Sequence, residues 1–217
     1  PMLEPADSAE ALAFAKLAYE LSERFDTPVL LKMCTRVAHS QSIVETGERQ
    51  EPAPRPYEKD PKKYIMMPGY AKLRHPAVEA RLAALTEYAE TAPCNRVEPG
   101  GDHSIGIITH STSYQYVKEA CGDRFPVLKL GMAWPLPEKL IREFAASVSL
   151  LVVVEELDGF IEDHCRNLGL ALAGKDYFSP IGELSQNIVA EKLGLKAHKG
   201  VALETPIPPR PPVMCAG

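Results

Sequence analysis

The sequence has 217 residues, of which 45% are hydrophobic, so it is long enough for one large domain or for one domain with part of another. Its net charge of −5 lacks the basic excess of a nucleic-acid-binding surface, and no apolar run reaches the roughly 18 residues of a membrane-spanning helix. The first residues, PMLEPADSAEA, have no features of a signal peptide. These properties predict a globular cytoplasmic protein without nucleic-acid or membrane partners.

The cysteines and histidines do not form a metal-binding pattern. The five cysteines are Cys34, Cys94, Cys121, Cys165 and Cys215. Their number is odd and no Cys-x-x-Cys pair occurs, which indicates reduced structural thiols and neither a disulfide framework nor a zinc or iron–sulfur site. His103, His110 and His164 also lack the spacing of metal ligands. We therefore expect no metal site in this chain.

The N-terminal residues predict one helix followed by one strand. Asp7 and Glu10 have the spacing of a capping box, and a stripe of apolar residues follows at helical intervals. The apolar run Val29–Met33 predicts a short buried strand. Without a neighbouring strand in the sequence, residues 1–45 resemble the last αβ unit of a domain whose beginning lies elsewhere.

Two proline-rich stretches predict linkers. The density of prolines in residues 46–76 is incompatible with regular structure, and Pro76 fits the first turn of the helix that follows. We therefore predict a linker and one helix for residues 46–99. The second stretch, residues 206–217, is predicted to lead towards another domain.

Residues 100–205 alternate between strands and helices. The predicted strands are Ile105–Thr109, Pro126–Leu130 and Leu150–Val154. A helical pattern follows each of them, which predicts an α/β domain with a parallel, right-handed, doubly wound sheet. The carboxyl ends of such strands meet at the edge where ligands bind in open α/β sheets. In this chain those ends are Thr109–Ser113, Gly131–Trp134 and Glu155–Asp158.

Polar residues at this edge are candidates for a binding site. Ser111, Thr112 and Ser113 could bind a phosphate at a helix N-terminus, although hydroxyl groups at this position more often cap the helix. Glu155 and Glu156 could bind a ribose, a cofactor amine or a basic side chain. Alternatively, these carboxylates cap the next helix or form a salt bridge at a domain interface.

Arg36 and His39 follow the first predicted strand. The guanidinium of Arg36 could bind a carboxylate and His39 could serve in acid–base chemistry, while the alternative is a structural arginine at a domain interface. No catalytic constellation is recognisable. The residues alone leave three hypotheses open: part of an enzyme, an interaction module without activity, or a nucleotide-binding domain.

Four strings in order resemble the large subunit of the indolepyruvate:ferredoxin oxidoreductases, which are thiamine-diphosphate-dependent 2-oxoacid:ferredoxin oxidoreductases. The strings are TPVLLKMCTRVAHSQSIVETGER, IGIITHSTSYQYVKEA, VLKLGMAWPLP and VVVEELDGFIEDH. The resemblance implies that residues 1–45 end a pyrimidine-binding domain and that residues 100–205 form a transketolase C-terminal-like, Rossmann-like domain. A diphosphate-binding domain would follow residues 206–217.

The resemblance also implies a reaction. Members of this family oxidatively decarboxylate aryl pyruvates such as indolepyruvate to aryl-acetyl-CoA, with ferredoxin as electron acceptor. They use thiamine diphosphate, Mg²⁺ and [4Fe–4S] clusters and pair with a smaller beta subunit in an oligomer. The activating glutamate, the diphosphate–metal ligands and the cluster cysteines would lie outside these 217 residues. We therefore expect no catalytic residue in this chain, no cofactor bound by it alone, and no activity from it alone.

Two positions depart from the family pattern. Ser111 and Gly159 stand where many relatives are expected to have glycine and proline, respectively. Neither change removes a catalytic group, so the departures concern the subfamily more than the family.

Overall fold

The computed structural model describes residues 1–49, 51, 53–54, 56–200 and 205. The strands are β1 (Met2–Leu3), β2 (Leu30–Leu31), β3 (Arg96–Glu98), β4 (Ile105–His110), β5 (Val127–Leu130), β6 (Met132–Trp134) and β7 (Leu150–Val154). The helices are α1 (Ser8–Phe25), α2 (Thr35–His39), α3 (Pro61–Tyr64), α4 (Pro68–Ala89), α5 (Ser113–Cys121), α6 (Glu138–Ala146), α7 (Phe160–Asn167) and α8 (Gln186–Lys192). No helix within these ranges is long and apolar enough to cross a membrane.

A four-stranded sheet with the order β3-β5-β4-β7 forms the centre of the larger unit. Strand β4 pairs in parallel with β5 and with β7, which confirms the predicted parallel α/β sheet. The sequence did not predict β3, which pairs antiparallel with β5 at the sheet edge. A polar three-residue strand has too little apolar pattern to be recognised.

Helices cover both faces of this sheet. Ile107 packs on one face with residues of α5 and α8, whereas the adjacent Ile108 packs on the other face with residues of α6 and α7. Successive residues of a strand point to opposite faces, so an apolar run is buried on both sides. This arrangement explains why β7 is continuously apolar and why the first four residues of β4 have no polar side chain.

A smaller sheet joins the N-terminal unit, defined here as residues 1–39, to the larger unit. Its order is β2-β1-β6, with β1 and β2 parallel and β6 antiparallel to β1. One expectation was wrong here. Leu30 of β2 is 59% exposed, so β2 is not a buried strand. Gly131–Trp134 follows the carboxyl end of β5, and its last three residues form β6.

The prediction that residues 46–76 lack regular structure was also wrong. Helix α3 and the first turns of α4 lie within this range, and Pro76 lies inside α4 instead of in its first turn. Pro68 occupies the first turn, where a missing N–H is tolerated. The carboxylate of Asp26, at the end of α1, contacts three basic side chains of α3 and α4. They are Lys63, Arg74 and Arg81.

The domain boundaries remain predictions. The proposed linker at residues 206–217, including Cys215, lies outside the described residues.

Candidate functional site

Glu155 lies at the carboxyl end of β7 and caps helix α7. Its Oε2 accepts a hydrogen bond from the N–H of Ile161 at 2.9 Å, and its Oε1 accepts one from the N–H of Glu162 at 3.0 Å. Burial raises the pKa of Glu155, while the two N–H groups act in the opposite direction. Both oxygens therefore satisfy the free N–H groups of a helix N-terminus, as in the capping alternative.

Glu156 and Arg36 both contact the segment that precedes α8. Oε1 of Glu156 accepts a hydrogen bond from the N–H of Leu184 at 3.0 Å. The guanidinium of Arg36 forms an ion pair with Glu183 and lies 5.6 Å from the centre of the Tyr116 ring. Arg36 thus connects α2 with α5 and with the segment before α8, and Glu156 connects the end of β7 with the same segment.

The serine and threonine residues of the β4–α5 loop have different local roles. Ser111 has a φ of +50°, in the left-handed region that favours glycine. Thr112 precedes α5, and its Oγ1 accepts a weak hydrogen bond from Sγ of Cys34 at 3.7 Å. Ser113 is the first residue of α5 and is buried.

The structure brings most of the candidates to one junction. Arg36 and Thr112 both lie where α2 meets α5, and the hydroxyl of Tyr116, buried in this junction, has no hydrogen-bond partner among the described residues. Burial raises the pKa of Tyr116; the nearby Arg36 acts against this effect and Glu156 adds to it. His39 lies in the last turn of α2 with an exposed side chain.

Sequence analysis missed a second group of charged residues, which we call the His110 cluster: Glu4, Lys32, His110 and Glu155. Nδ1 of His110 lies 2.8 Å from Oε2 of Glu4, at contact distance but without the angles of a hydrogen bond. Nε2 of His110 lies 3.9 Å from Oε2 of Glu155. The signal that could have revealed the cluster is position, because Glu4 and His110 each lie at or just past the carboxyl end of a strand.

The pKa of Glu4 is set by two opposing effects, burial and the nearby basic side chains. Burial by itself raises the pKa of Glu4, but His110 and Lys32 outweigh it and hold this pKa below its ordinary value. Nζ of Lys32 donates a hydrogen bond to Oε1 of Glu4 at 2.8 Å. Glu4 is therefore ionised at neutral pH, although its side chain is almost completely buried.

The carboxylates of Glu155 and Glu156 and the guanidinium of Arg36 thus all form hydrogen bonds or ion pairs with other groups of the protein. Within the part of the chain that the structure describes, no three His, Cys, Asp or Glu side chains are grouped to hold a metal ion. The residues present therefore do not fit a site for a metal-bound diphosphate. Arg36 joins the N-terminal unit to the larger unit, whereas Glu155 and Glu156 make their contacts within the larger unit.

Comparison with solved structures identifies the fold. A 2-oxoglutarate:ferredoxin oxidoreductase from Magnetococcus marinus, solved with 2-oxoglutarate, coenzyme A and succinyl-CoA, is similar with a TM-score of 0.60. The similarity covers 89% of this chain and 41% of that chain at 14% sequence identity. The chain therefore has the α/β fold found in part of a 2-oxoacid:ferredoxin oxidoreductase.

Comparison of sequences identifies the family. The chain is 35% identical to the indolepyruvate oxidoreductase subunit IorA of Archaeoglobus fulgidus and 36% identical to that of Methanothermobacter thermautotrophicus. Each match covers 100% of this chain and 38% of the relative. No family model matches the chain. The chain belongs to the IorA family of indolepyruvate oxidoreductase subunits and spans 38% of the length of these relatives, which confirms the resemblance.

Proposed function

We propose that the chain functions as part of an oxidoreductase that decarboxylates aryl pyruvates, chiefly indolepyruvate, and transfers the product to coenzyme A with ferredoxin as electron acceptor. The supporting observation is the identity of 35% and 36% with two IorA subunits over its whole length. Thiamine diphosphate with Mg²⁺ and [4Fe–4S] clusters, held by other parts of the enzyme, would supply the decarboxylation and electron-transfer chemistry. The expected setting is a cytoplasmic oligomer with a smaller beta subunit.

The role proposed for these residues is to position and connect domains. This role is supported by the partners of Arg36, Glu155 and Glu156, because each side chain contacts a protein group instead of facing an open site. The cofactor ligands and the catalytic glutamate are proposed to lie in other parts of the subunit.

An uncovered apolar row on the smaller sheet supports a role in assembly. Leu30 and Trp134 both pair with Met2, so the three side chains align across one face, and the Trp134 ring lies 6.4 Å from that of Phe160. The opposite face buries Leu3 and Met132 in a core cluster with α1. Trp134 is 43% exposed, which is typical of an apolar surface that another part of an assembly covers.

Calorimetry tests where the cofactor binds. Thiamine diphosphate with Mg²⁺ titrated into the 217-residue chain is expected to give no binding heat, whereas a full-length IorA subunit serves as the positive control. A dissociation constant below about 100 μM, equivalent to roughly 5.5 kcal/mol, would contradict the proposal. It would mean that these residues contain most of the cofactor site.

Assembly tests the proposed role of the apolar row. Trp134→Lys in the full-length subunit is expected to reduce the yield of assembled oxidoreductase by placing a charge in an apolar contact. The matched control is Val97→Lys on the edge strand β3, because Val97 is similarly exposed at 48%. Equal yields for the two variants would contradict an interface at this row.

A further inference from the structure

Three basic side chains converge on one carboxylate at the C-terminal end of α1. Nζ of Lys63 donates a hydrogen bond to Oδ1 of Asp26 at 2.6 Å, and the Nη2 atoms of Arg74 and Arg81 lie 3.8 and 3.7 Å from Oδ2. We call these four residues the Asp26 cluster. Three cations here face a single carboxylate, so the cluster carries an excess of two positive charges.

The two arginines of the cluster have hydrogen-bond donors to spare. Their distances to Asp26 are those of ion pairs and are too long for hydrogen bonds. Neither guanidinium forms a hydrogen bond with another group in the part of the chain that the structure describes. Because a guanidinium has five N–H donors in a planar fork, Arg74 and Arg81 can bind the oxygens of a further anion.

Regular structure places the three cations together. Arg74 and Arg81 are seven residues apart on α4, so two turns of the helix bring them to the same face. The end of α4 is fixed against α1, where the Tyr88 ring lies 5.6 Å from the Phe25 ring. Lys63 belongs to α3, which precedes α4. The convergence therefore depends on three helices and not on one flexible loop.

Partial burial strengthens the field of the cluster. The side chains of Arg74 and Arg81 are 32% and 20% exposed, so water screens their charges less than those of a fully exposed arginine. Two further charges at this end of α1 cancel each other. Asp60, which caps α3, adds one negative charge, and Arg24, whose guanidinium lies 5.0 Å from the centre of the Phe25 ring, adds one positive charge.

We propose that the Asp26 cluster is a binding site for a dianionic phosphate group. The charge of a phosphate monoester near neutral pH is about −1.5 to −2, which matches the excess of two positive charges. Two guanidinium groups provide paired donors for phosphate oxygens, and the ammonium of Lys63 adds a point charge. Asp26 limits the affinity, because its carboxylate lies among the same cations and repels a second anion.

The phosphate group can come from inorganic phosphate or from an organic monoester, and Tyr64 distinguishes the two sources. Its ring is 63% exposed and its centre lies 5.0 Å from Nζ of Lys63, so an aromatic group attached to the phosphate can stack on it. Tighter binding of phenyl phosphate than of inorganic phosphate would identify an organic monoester. Equal affinities would identify a site for the phosphate group alone.

A titration followed by nuclear magnetic resonance tests the proposal. Phosphate or phenyl phosphate is added to the 217-residue chain at low ionic strength and at about pH 7.5, above the second pKa of a monoester. The Nε–H signals of Arg74 and Arg81 should shift and saturate with a dissociation constant of about 1 mM. The titration contains no thiamine diphosphate, so its outcome is independent of the proposed reaction.

Variants separate a site from the general effect of net charge. Arg74→Gln and Arg81→Gln should each weaken binding about fivefold. Lys72→Gln is the matched control, because it removes the same charge from the opposite face of α4 and should leave the affinity unchanged. Asp26→Asn should strengthen binding about fivefold by removing the competing carboxylate, and asparagine tolerates the left-handed φ of +49° at this position.

Three results would overturn the proposal. The first is the absence of saturable shifts at Arg74 and Arg81 up to about 20 mM phosphate or phenyl phosphate. The second is an equal loss of affinity in Lys72→Gln and Arg74→Gln, which would mean that the anion responds only to net charge. The third is unchanged or weaker binding in Asp26→Asn, which would mean that the three cations serve only to pair with Asp26.

Discussion

Nζ of Lys129 lies 2.6 Å from Oε2 of Glu10 and 4.8 Å from the centre of the Phe14 ring, with the lysine side chain 0% exposed. This pair joins β5 of the larger sheet to α1 of the N-terminal unit. Burial lowers the pKa of Lys129, and the charge of Glu10 opposes this effect. Glu10 also accepts hydrogen bonds from Arg96 and from the N–H of Ala6, so its carboxylate is fully engaged.

Removing Glu10 should lower the free energy of unfolding more than removing Lys129 does. Glu10→Gln leaves the ammonium of Lys129 buried without a counter-charge, and we expect it to lower the free energy of unfolding by about 3–5 kcal/mol. Lys129→Met should cost less, because Glu10 keeps Arg96 and methionine fills the apolar space. Urea unfolding of both variants measures the difference, and an equal or reversed order would contradict this account.

The double variant Glu10→Gln, Lys129→Met tests whether the two residues act as a pair. Its loss of stability should be smaller than the sum of the two single losses, because the second change removes the charge that the first left unpaired. Additive losses would indicate independent roles.

Acid should destabilise the protein through Glu10. Burial by itself raises the pKa of Glu10, but Lys129, Arg96 and the N–H of Ala6 outweigh it and hold the pKa below its ordinary value. A carboxyl with a lowered folded-state pKa stabilises the fold above its unfolded pKa of about 4.3, and this contribution disappears as the pH falls through the folded-state pKa. The free energy of unfolding should therefore decline below about pH 5.

Glu10→Gln should flatten this decline, since glutamine has no proton to bind. Urea unfolding at several pH values between 3 and 7 would show a shallower slope for the variant. Parallel curves for the variant and the unaltered chain would mean that other carboxylates dominate acid unfolding.

Gly131 lies where the backbone of β5 turns into β6 and leaves no space for a side chain. A Cβ atom there would lie 2.5 Å from the carbonyl oxygen of Cys94 and 2.6 Å from Cζ of Phe14. Gly131→Ala should therefore destabilise the protein by about 1–3 kcal/mol in thermal or urea unfolding. Gly101→Ala, with nothing within 4 Å of its Cβ, is the control and should change stability by less than about 0.5 kcal/mol.

Replacing Ser111 by glycine should stabilise the protein. Its φ of +50° is strained for a residue with a Cβ, so Ser111→Gly is expected to raise the free energy of unfolding by up to about 1 kcal/mol. Thr112 has a right-handed φ of −65°, and Thr112→Gly should instead lower stability. Destabilisation by Ser111→Gly would show that the serine side chain makes an essential contact.

Three buried thiols should resist alkylation in the folded chain. Burial raises the pKa of Cys94 and Cys121 to about 11 and that of Cys165 to about 12, so few thiolates form at neutral pH. Cys34 is only partly buried and should react first among these four. Iodoacetamide labelling followed by peptide mass spectrometry checks the order, and early labelling of Cys165 would contradict the packing around α7.

Part of the site could be anticipated from the sequence, and part could not. The position of Glu155 directly after an apolar strand already suggested a helix cap as one of several roles, and the structure provides the cap. His110 and Lys129 were not recognised, because their partners Glu4 and Glu10 lie more than 100 residues away in the chain. A linear sequence does not show which distant charges meet.

The sequence by itself determined the parallel sheet and its helices, because a strand buried on both faces is mostly apolar and a helix beside it carries an apolar stripe. These are local properties. The tertiary structure alone decided that β6 joins β1, that α4 continues through Pro76, and that His110 lies between two carboxylates. Each of these features depends on contacts between residues far apart in the chain, whose energies the local pattern does not contain.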